Sequence, residues 1–196
     1  MSLHPTNIAQ KVQIIVEHYR TNVAHLLDGH GKAMVVTSSR AAALKYKTAI
    51  DRYIASHGYE MGTLVAFSGS LTSEQVEEVV PGVAEPYTEH NMNPGLRGRT
   101  IPNAFGGDQY QVLIVANKYQ TGFDQPLLCA MYVDKRLDGI EAVQTLSRLN
   151  RTLPSKGKDT TYVLDFVNDP ETILNSFLPY FRTAQITQTT DPDLVH

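Results

Sequence analysis

The sequence predicts an α/β fold: a three-layer, doubly wound, mainly parallel sheet of about five or six strands. An N-terminal helix and a long irregular insertion accompany it. Three observations carry that expectation. Short, continuous apolar runs recur along the chain, as expected of strands buried on both faces. Segments with helical apolar spacing alternate with them. Polar turns follow several of the apolar runs, at the place where open α/β sheets bind ligands.

The 196 residues suit one domain or one with an appendage, and 42% hydrophobic with 19% charged residues are globular values. Seventeen basic against twenty acidic residues give a formal charge of −3, so any contact with nucleic acid must come from local placement of cations. The single cysteine, Cys129, lies in an apolar run and reads as a reduced core residue. The histidines lack metal-ligand spacing and no Cys-x-x-Cys is present. Without a signal peptide or an apolar run near 18 residues, a soluble, cytoplasmic protein with no membrane partner is expected. Met1-Ser2-Leu3 reads as a cloning remnant, and the chain as an excised fragment.

Three segments divide the chain: an N-terminal helix within 1–30, the main domain at 31–182 with an insertion at 71–108, and a linker or tail at 183–196. In the first, apolar positions from Ile8 to Leu27 have helical spacing, stopped by Gly29 and Gly31. Lys32–Thr37 reads as a buried strand and Ala41–Ser56 as a helix ending at Gly58. Between them, Ser38, Ser39 and Arg40 suit a helix cap, and equally an anion site at the positive end of the helix. Capping alone explains the serines but not the charge of Arg40. Thr63–Phe67 reads as a second strand, ending in Ser68 and Gly69. Residues 71–108 hold five glycines and four prolines, an irregular connection with a short helix at Ser73–Val80. The roles of Arg97 and Arg99 within it stay open.

Gln111–Ala116 is the third and most apolar strand. The turn after it holds Thr121, Gly122 and Asp124, an arrangement that an ordinary turn would also explain. Ala130–Val133 and Thr160–Phe166 complete the strands, and Pro170–Phe181 the helices. Gln144, Arg148 and Arg151 follow a helical start at Gly139. At about 100° per residue they share one polar stripe, while Val143 and Leu146 face elsewhere and Leu149 and Leu153 are available for a core. Two guanidiniums and an amide make a forked donor set suited to phosphate, although a solvated helix face would look the same. Right-handed crossovers would place the loops at 38–40, 117–125 and 134–140 along one edge of the sheet.

The blocks Lys32–Arg40, Leu113–Ala116 through Thr121–Leu128, Met131–Lys135 and Val143–Arg151 resemble the second motor domain of the R subunit of type I restriction–modification enzymes. Val163–Asn168 fits as well, and the resemblance spans about residues 8–182. In superfamily-two helicases and translocases such blocks are motifs IV, V and VI of a RecA-like lobe. The resemblance implies that Arg148 and Arg151 are catalytic arginine fingers reaching the γ-phosphate of ATP. Gln144 would position nucleotide or water, and Gly122 and Asp124 would join the nucleotide contacts. It implies backbone contacts to duplex DNA from Thr37, Ser38, Ser39, Arg40 and Thr121, with Ser68 and Gly69 beside them. Ser147 stands where many relatives have glycine.

A phosphate-cradling Gly-x-x-x-x-Gly-Lys-Ser/Thr, an Asp-Glu dipeptide for magnesium and a nuclease-type Glu-x-Lys are all absent from the sequence. ATP and Mg²⁺ are therefore expected to bind mainly through a first motor lobe elsewhere in the subunit. The expected partners are that lobe, a nuclease domain, and methylation and specificity subunits. The isolated fragment is expected to be inactive, and no metal site is assigned to it. A non-catalytic α/β protein-interaction module is the alternative, with the arginine face docking a carboxylate partner and residues 71–108 as the recognition surface. A motor lobe from a single-strand unwinding helicase is the third reading.

Overall fold

The computed structural model describes the backbone of residues 5–120, 123–150 and 157–189, with side chains at 8–120, 123–149 and 157–179. Its centre is a five-stranded sheet in the order β2-β5-β1-β6-β7. The strands are β1 (Lys32–Thr37), β2 (Thr63–Ala66), β5 (Val112–Val115), β6 (Leu128–Asp134) and β7 (Tyr162–Asp165), and every pairing is parallel. Ala33 pairs with Val112 on one side and Ala130 on the other, which makes β1 the centre of the sheet.

Alternation along these strands feeds two cores. Ala33, Val35, Val65, Ile114 and Tyr132 point to one side, where they meet Leu44, Tyr46 and Ile50 of α3 (Arg40–His57). The same core takes Val12, Ile15 and Val16 of α1 (Pro5–His18). Met34, Val36, Leu64, Leu113 and Met131 point to the other side. There they meet Ile101 and Phe105 of α6 (Ile101–Phe105), and Ala142 and Leu146 of α7 (Ile140–Leu146). This is the doubly wound arrangement expected of strands apolar on both faces.

Several elements differ from their expected form. The first helix stops being α-helical at His18 and continues as a π turn over Tyr19–Val23, before the segment α2 (Leu26–Gly29). That extra residue turns Tyr19 and Val23 inward together, and the Tyr19 hydroxyl donates to the Gly31 carbonyl at 2.7 Å. A side chain at Gly31 would place its Cβ 2.3 Å from the Val23 oxygen.

Residues 71–108 carry short elements within the irregular connection. They contain α4 (Ser73–Val76), α5 (Glu89–Met92), the 3₁₀ turn Pro94–Leu96 and α6, and β3 (Ser70–Leu71) pairs antiparallel with β4 (Tyr87–Thr88). Thr72 with Gln75, and Thr88 with Asn91, form reciprocal capping boxes that start helices of only four residues. Leu71, Val76, Tyr87, Met92, Ile101 and Phe105 are buried. Glycine and proline content signalled frequent turns, and these apolar residues anchor the segments between them. The expected helix Ser73–Val80 ends at Val76, because Glu77 adopts a left-handed φ of 60°. Arg99 is committed locally, donating to the carbonyls of Leu96 and Gly95 at 3.0 Å each and to Gln109 at 2.8 Å.

The last helix, α8, runs Pro170–Thr189, past the expected end at Phe181 and into the segment read as linker. Among the described residues, no helix is long and apolar enough to cross a membrane.

Candidate functional site

Because all five central strands run the same way, their carboxyl ends form one edge. The expected loops meet there: 38–40 after β1, the described part of 117–125 after β5 and 134–140 after β6; residues 68–69 after β2 join them.

At the end of β1, Ser39 is the N-cap of α3 and its Oγ accepts from the Ala42 amide at 3.0 Å. Ser38 and Arg40 are exposed. Arg40 Nη1 donates to the Ser68 carbonyl at 2.9 Å, drawing the ends of β1 and β2 together. Gly69 makes this possible: its φ is 76°, and a Cβ there would lie 2.9 Å from Arg40 Nη1. Thr37 departs from the expected role. It is fully buried and its hydroxyl donates to the Val115 carbonyl at 2.8 Å, so the side chain ties β1 to β5 instead of facing a phosphate.

The turn after β5 is strained at Asn117 and Tyr119, with φ of 64° and 61°. Polar bonds hold it. Lys118 Nζ lies 2.8 and 2.9 Å from the two Glu89 carboxylate oxygens, and Glu89 Oε2 accepts from the Phe67 amide at 3.0 Å. The segment 71–108 thereby braces two loops of the edge. Lys135 Nζ reaches Asn117 Oδ1 and Gln120 Oε1 at 2.9 Å each, and Glu141 at 2.8 Å. The hydrogen bond from Lys135 is the main cause holding the Glu141 carboxyl below its usual range. Asp124 is exposed; Thr121 and Gly122 lie outside the described residues.

The arginine stripe needs a correction. The α-helix ends at Leu146 and becomes a 3₁₀ turn at Ser147–Asn150. At three residues per turn the 100° increment does not continue, so Gln144 and Arg148 are not on one α-helical stripe. Leu146 and Leu149, three apart, are both buried against the sheet. Gln144 is exposed and Arg148 half-buried. Arg148 Nη1 donates to the main-chain oxygen of Phe123. Through this bond Arg148 touches the turn after β5. Arg151 and Leu153 lie outside the described residues.

Sequence reasoning missed Asp134, at the last residue of β6. It is 8% exposed, accepts from Tyr46 Oη at 2.6 Å and pairs with Lys11 Nζ at 3.0 Å. A carboxylate closing an apolar run was the available signal. Gln120, 3% exposed, was missed likewise.

As to chemistry, Arg148 offers a guanidinium held against the turn after β5 and Arg40 an exposed one at the end of β1, while Gln144 presents an exposed amide on α7. Such donors fit oxyanions. Among the described residues, no group of three or more His, Cys, Asp or Glu side chains could hold a metal ion.

Comparison with known proteins follows this geometry. The family model for type I restriction enzyme subunit R domain 3 matches residues 70–168. A Methanocaldococcus jannaschii protein named as the type I restriction enzyme MjaVIIP endonuclease subunit is 28% identical over 158 residues, covering 79% of this chain and 14% of that protein. The type I restriction enzyme HindI endonuclease subunit of Haemophilus influenzae is 27% identical over 146 residues, covering 69% of this chain and 12% of that protein. The chain thus spans a small part of the relatives it matches. Among solved structures, Mss116p DEAD-box helicase domain 2 bound to an RNA duplex is similar at TM-score 0.50 and 15% identity, covering 87% of this chain and 54% of that one. At that identity the likeness is one of fold, that of RecA-like helicase C-terminal domains.

Proposed function

Because the chain belongs to the type I restriction enzyme R subunit family, we propose that it is the second motor lobe of an ATP-dependent duplex-DNA translocase within such a subunit. One observation carries this reading. The segment bearing Arg148 is hydrogen-bonded to the turn after β5, on the same sheet edge as Ser38, Arg40 and Ser68. A set of oxyanion donors and a set of backbone-contact residues then lie on one rigid frame.

In this mechanism ATP supplies the phosphoryl group whose transfer drives the stroke. Arg148 and Arg151 stabilise the charge that develops on that group, as arginine fingers do. The Phe123 carbonyl orients Arg148 beforehand, so little reorganisation accompanies the reaction. Gln144 orients nucleotide or water. Gly122 and Asp124 complete the nucleotide side of the turn. Ser38, Arg40 and the backbone of residues 37–39, with Ser68, Gly69 and Thr121, hold the phosphodiester backbone without reading sequence. Mg²⁺ is assigned to a first motor lobe, which supplies the other half of the ATP site. The nuclease domain and the methylation and specificity subunits are the further partners. The isolated chain is inactive in this account.

ATP hydrolysis and translocation by the intact subunit test it. Arg151→Ala should lower DNA-stimulated hydrolysis by about 10³–10⁵ with the fold retained. Near-normal hydrolysis in that variant, or clear ATP turnover by the chain alone, would refute the assignment.

A further inference from the structure

We propose that Lys135 is a positioning residue that couples the arginine-bearing segment to the turn after β5, so that the two move as one body; this rests on the motor function proposed above. An ammonium has three N–H donors, and three acceptors surround this one: Asn117 Oδ1 at 2.9 Å, Gln120 Oε1 at 2.9 Å and Glu141 Oε1 at 2.8 Å. The Lys135 side chain is 15% exposed, so these bonds are largely removed from water.

Gln120 extends the network. Its Nε2 donates to Glu141 Oε1 and to Thr145 Oγ1, each at 3.0 Å, and Thr145 is fully buried. Glu141 and Thr145 belong to α7, which carries Gln144 and leads directly into Arg148. The Lys135 main chain is fixed as well. Its carbonyl accepts from Asn168 Nδ2 at 2.8 Å, while Asn168 Oδ1 accepts from the Leu137 amide at 2.9 Å. The end of β7 therefore holds the loop after β6 in place, and that loop holds the other two elements.

The turn after β5 has left-handed residues at Asn117 and Tyr119, and its apolar anchors are Tyr119 and Phe123. Without the ammonium, Asn117 loses its link to α7, and Gln120 Oε1 and Glu141 lose the cation between them. Gln120 Nε2 would still reach Glu141 and Thr145, and Arg148 the Phe123 carbonyl, but Asn117 and the loop after β6 would no longer be tied into that contact. A displacement at the arginines would no longer be delivered in full to the DNA-side residues.

The test measures base pairs moved per ATP hydrolysed by the intact subunit in its complex. Wild type is compared with Lys135→Met and with Glu141→Gln, which keeps shape and acceptor but loses charge. Lys135→Met should hydrolyse ATP yet move about three- to thirtyfold fewer base pairs per ATP, with Glu141→Gln changed in the same direction by less. Combining Lys135→Met with Gln120→Leu should add less than the two separate losses, because both act through one network. An unchanged ratio in folded Lys135→Met, or in Glu141→Gln where Lys135→Met does not fold, would overturn the proposal and make Lys135 an anchor only. Loss of hydrolysis and translocation in equal proportion would overturn it too. Neither result touches the motor reading, which fails instead if Arg151→Ala hydrolyses ATP normally.

Discussion

Arg148 donates from Nη1 to the main-chain oxygen of Phe123, so its guanidinium is fastened to a neighbouring loop as well as carried by its own turn. A carbonyl acceptor cannot move away as a side chain can. The guanidinium is planar and forked, and a lysine at this position would offer only a point charge. Arg148→Lys in the intact subunit should therefore lose most of the ATP hydrolysis that Arg148→Ala loses, about 10² or more. A lysine variant with near wild-type kcat would show that charge alone suffices.

Ser39 and Arg40 separate stability from binding. Ser39→Ala removes the Oγ that caps α3 and should cost about 1 kcal/mol, read as a lower urea midpoint with unchanged slope. Arg40→Ala touches an exposed side chain and should change stability by less than about 0.5 kcal/mol. If Arg40 pairs with one phosphate, the same change should reduce the slope of log K against log salt for duplex DNA by about 0.9. An unaltered slope would remove Arg40 from the DNA contact.

Asp134 joins α1, α3 and β6 through Lys11 and Tyr46. Asp134→Ala would leave a largely buried ammonium and a buried hydroxyl without their acceptor, at a cost of about 3–5 kcal/mol. Chemical denaturation measures this. A loss under about 1 kcal/mol would mean that water replaces the carboxylate freely.

His18 gives the stability a pH dependence. Burial holds its pKa below the ordinary 6.5, and Nδ1 lies 2.7 Å from Tyr132 Oη. A folded-state pKa below the unfolded one means that the unfolded chain binds the proton more readily. The contribution of neutral His18 is thus complete above about 6.5 and is lost as pH falls through the lower, folded value. Glu141, also held below its ordinary value of 4.5, adds a second loss at more acid pH. Stability measured from pH 8 down to 5 should fall, and His18→Gln should flatten the upper part of that fall. An equal slope in the variant would assign it to other groups.

Much of the fold was legible because burial on both sheet faces leaves a mark in the chain. Continuous apolar runs announced β1, β2, β5, β6 and β7 to within a few residues. Within segment 71–108 most of the short elements were not legible, because two-residue strands and four-residue helices, stabilised by caps and scattered apolar anchors, are too short to show periodicity. The stripe of Gln144, Arg148 and Arg151 was drawn on an α-helix that ends at Leu146, where a 3₁₀ turn follows over Ser147–Asn150.

By itself, then, the sequence determined the layer architecture and the shared edge. Apolar runs of strand length, joined by right-handed crossovers, permit few other arrangements. Tertiary structure alone decided which polar groups at that edge face outward and which are spent holding it. Thr37 turns in to Val115 while Ser38 stays exposed, and Lys135, Gln120 and Glu141 find one another although fifteen or more residues separate Gln120 from either partner. Partners so distant along the chain leave no local pattern, because the hydrogen bonds between them exist only once the strands are side by side.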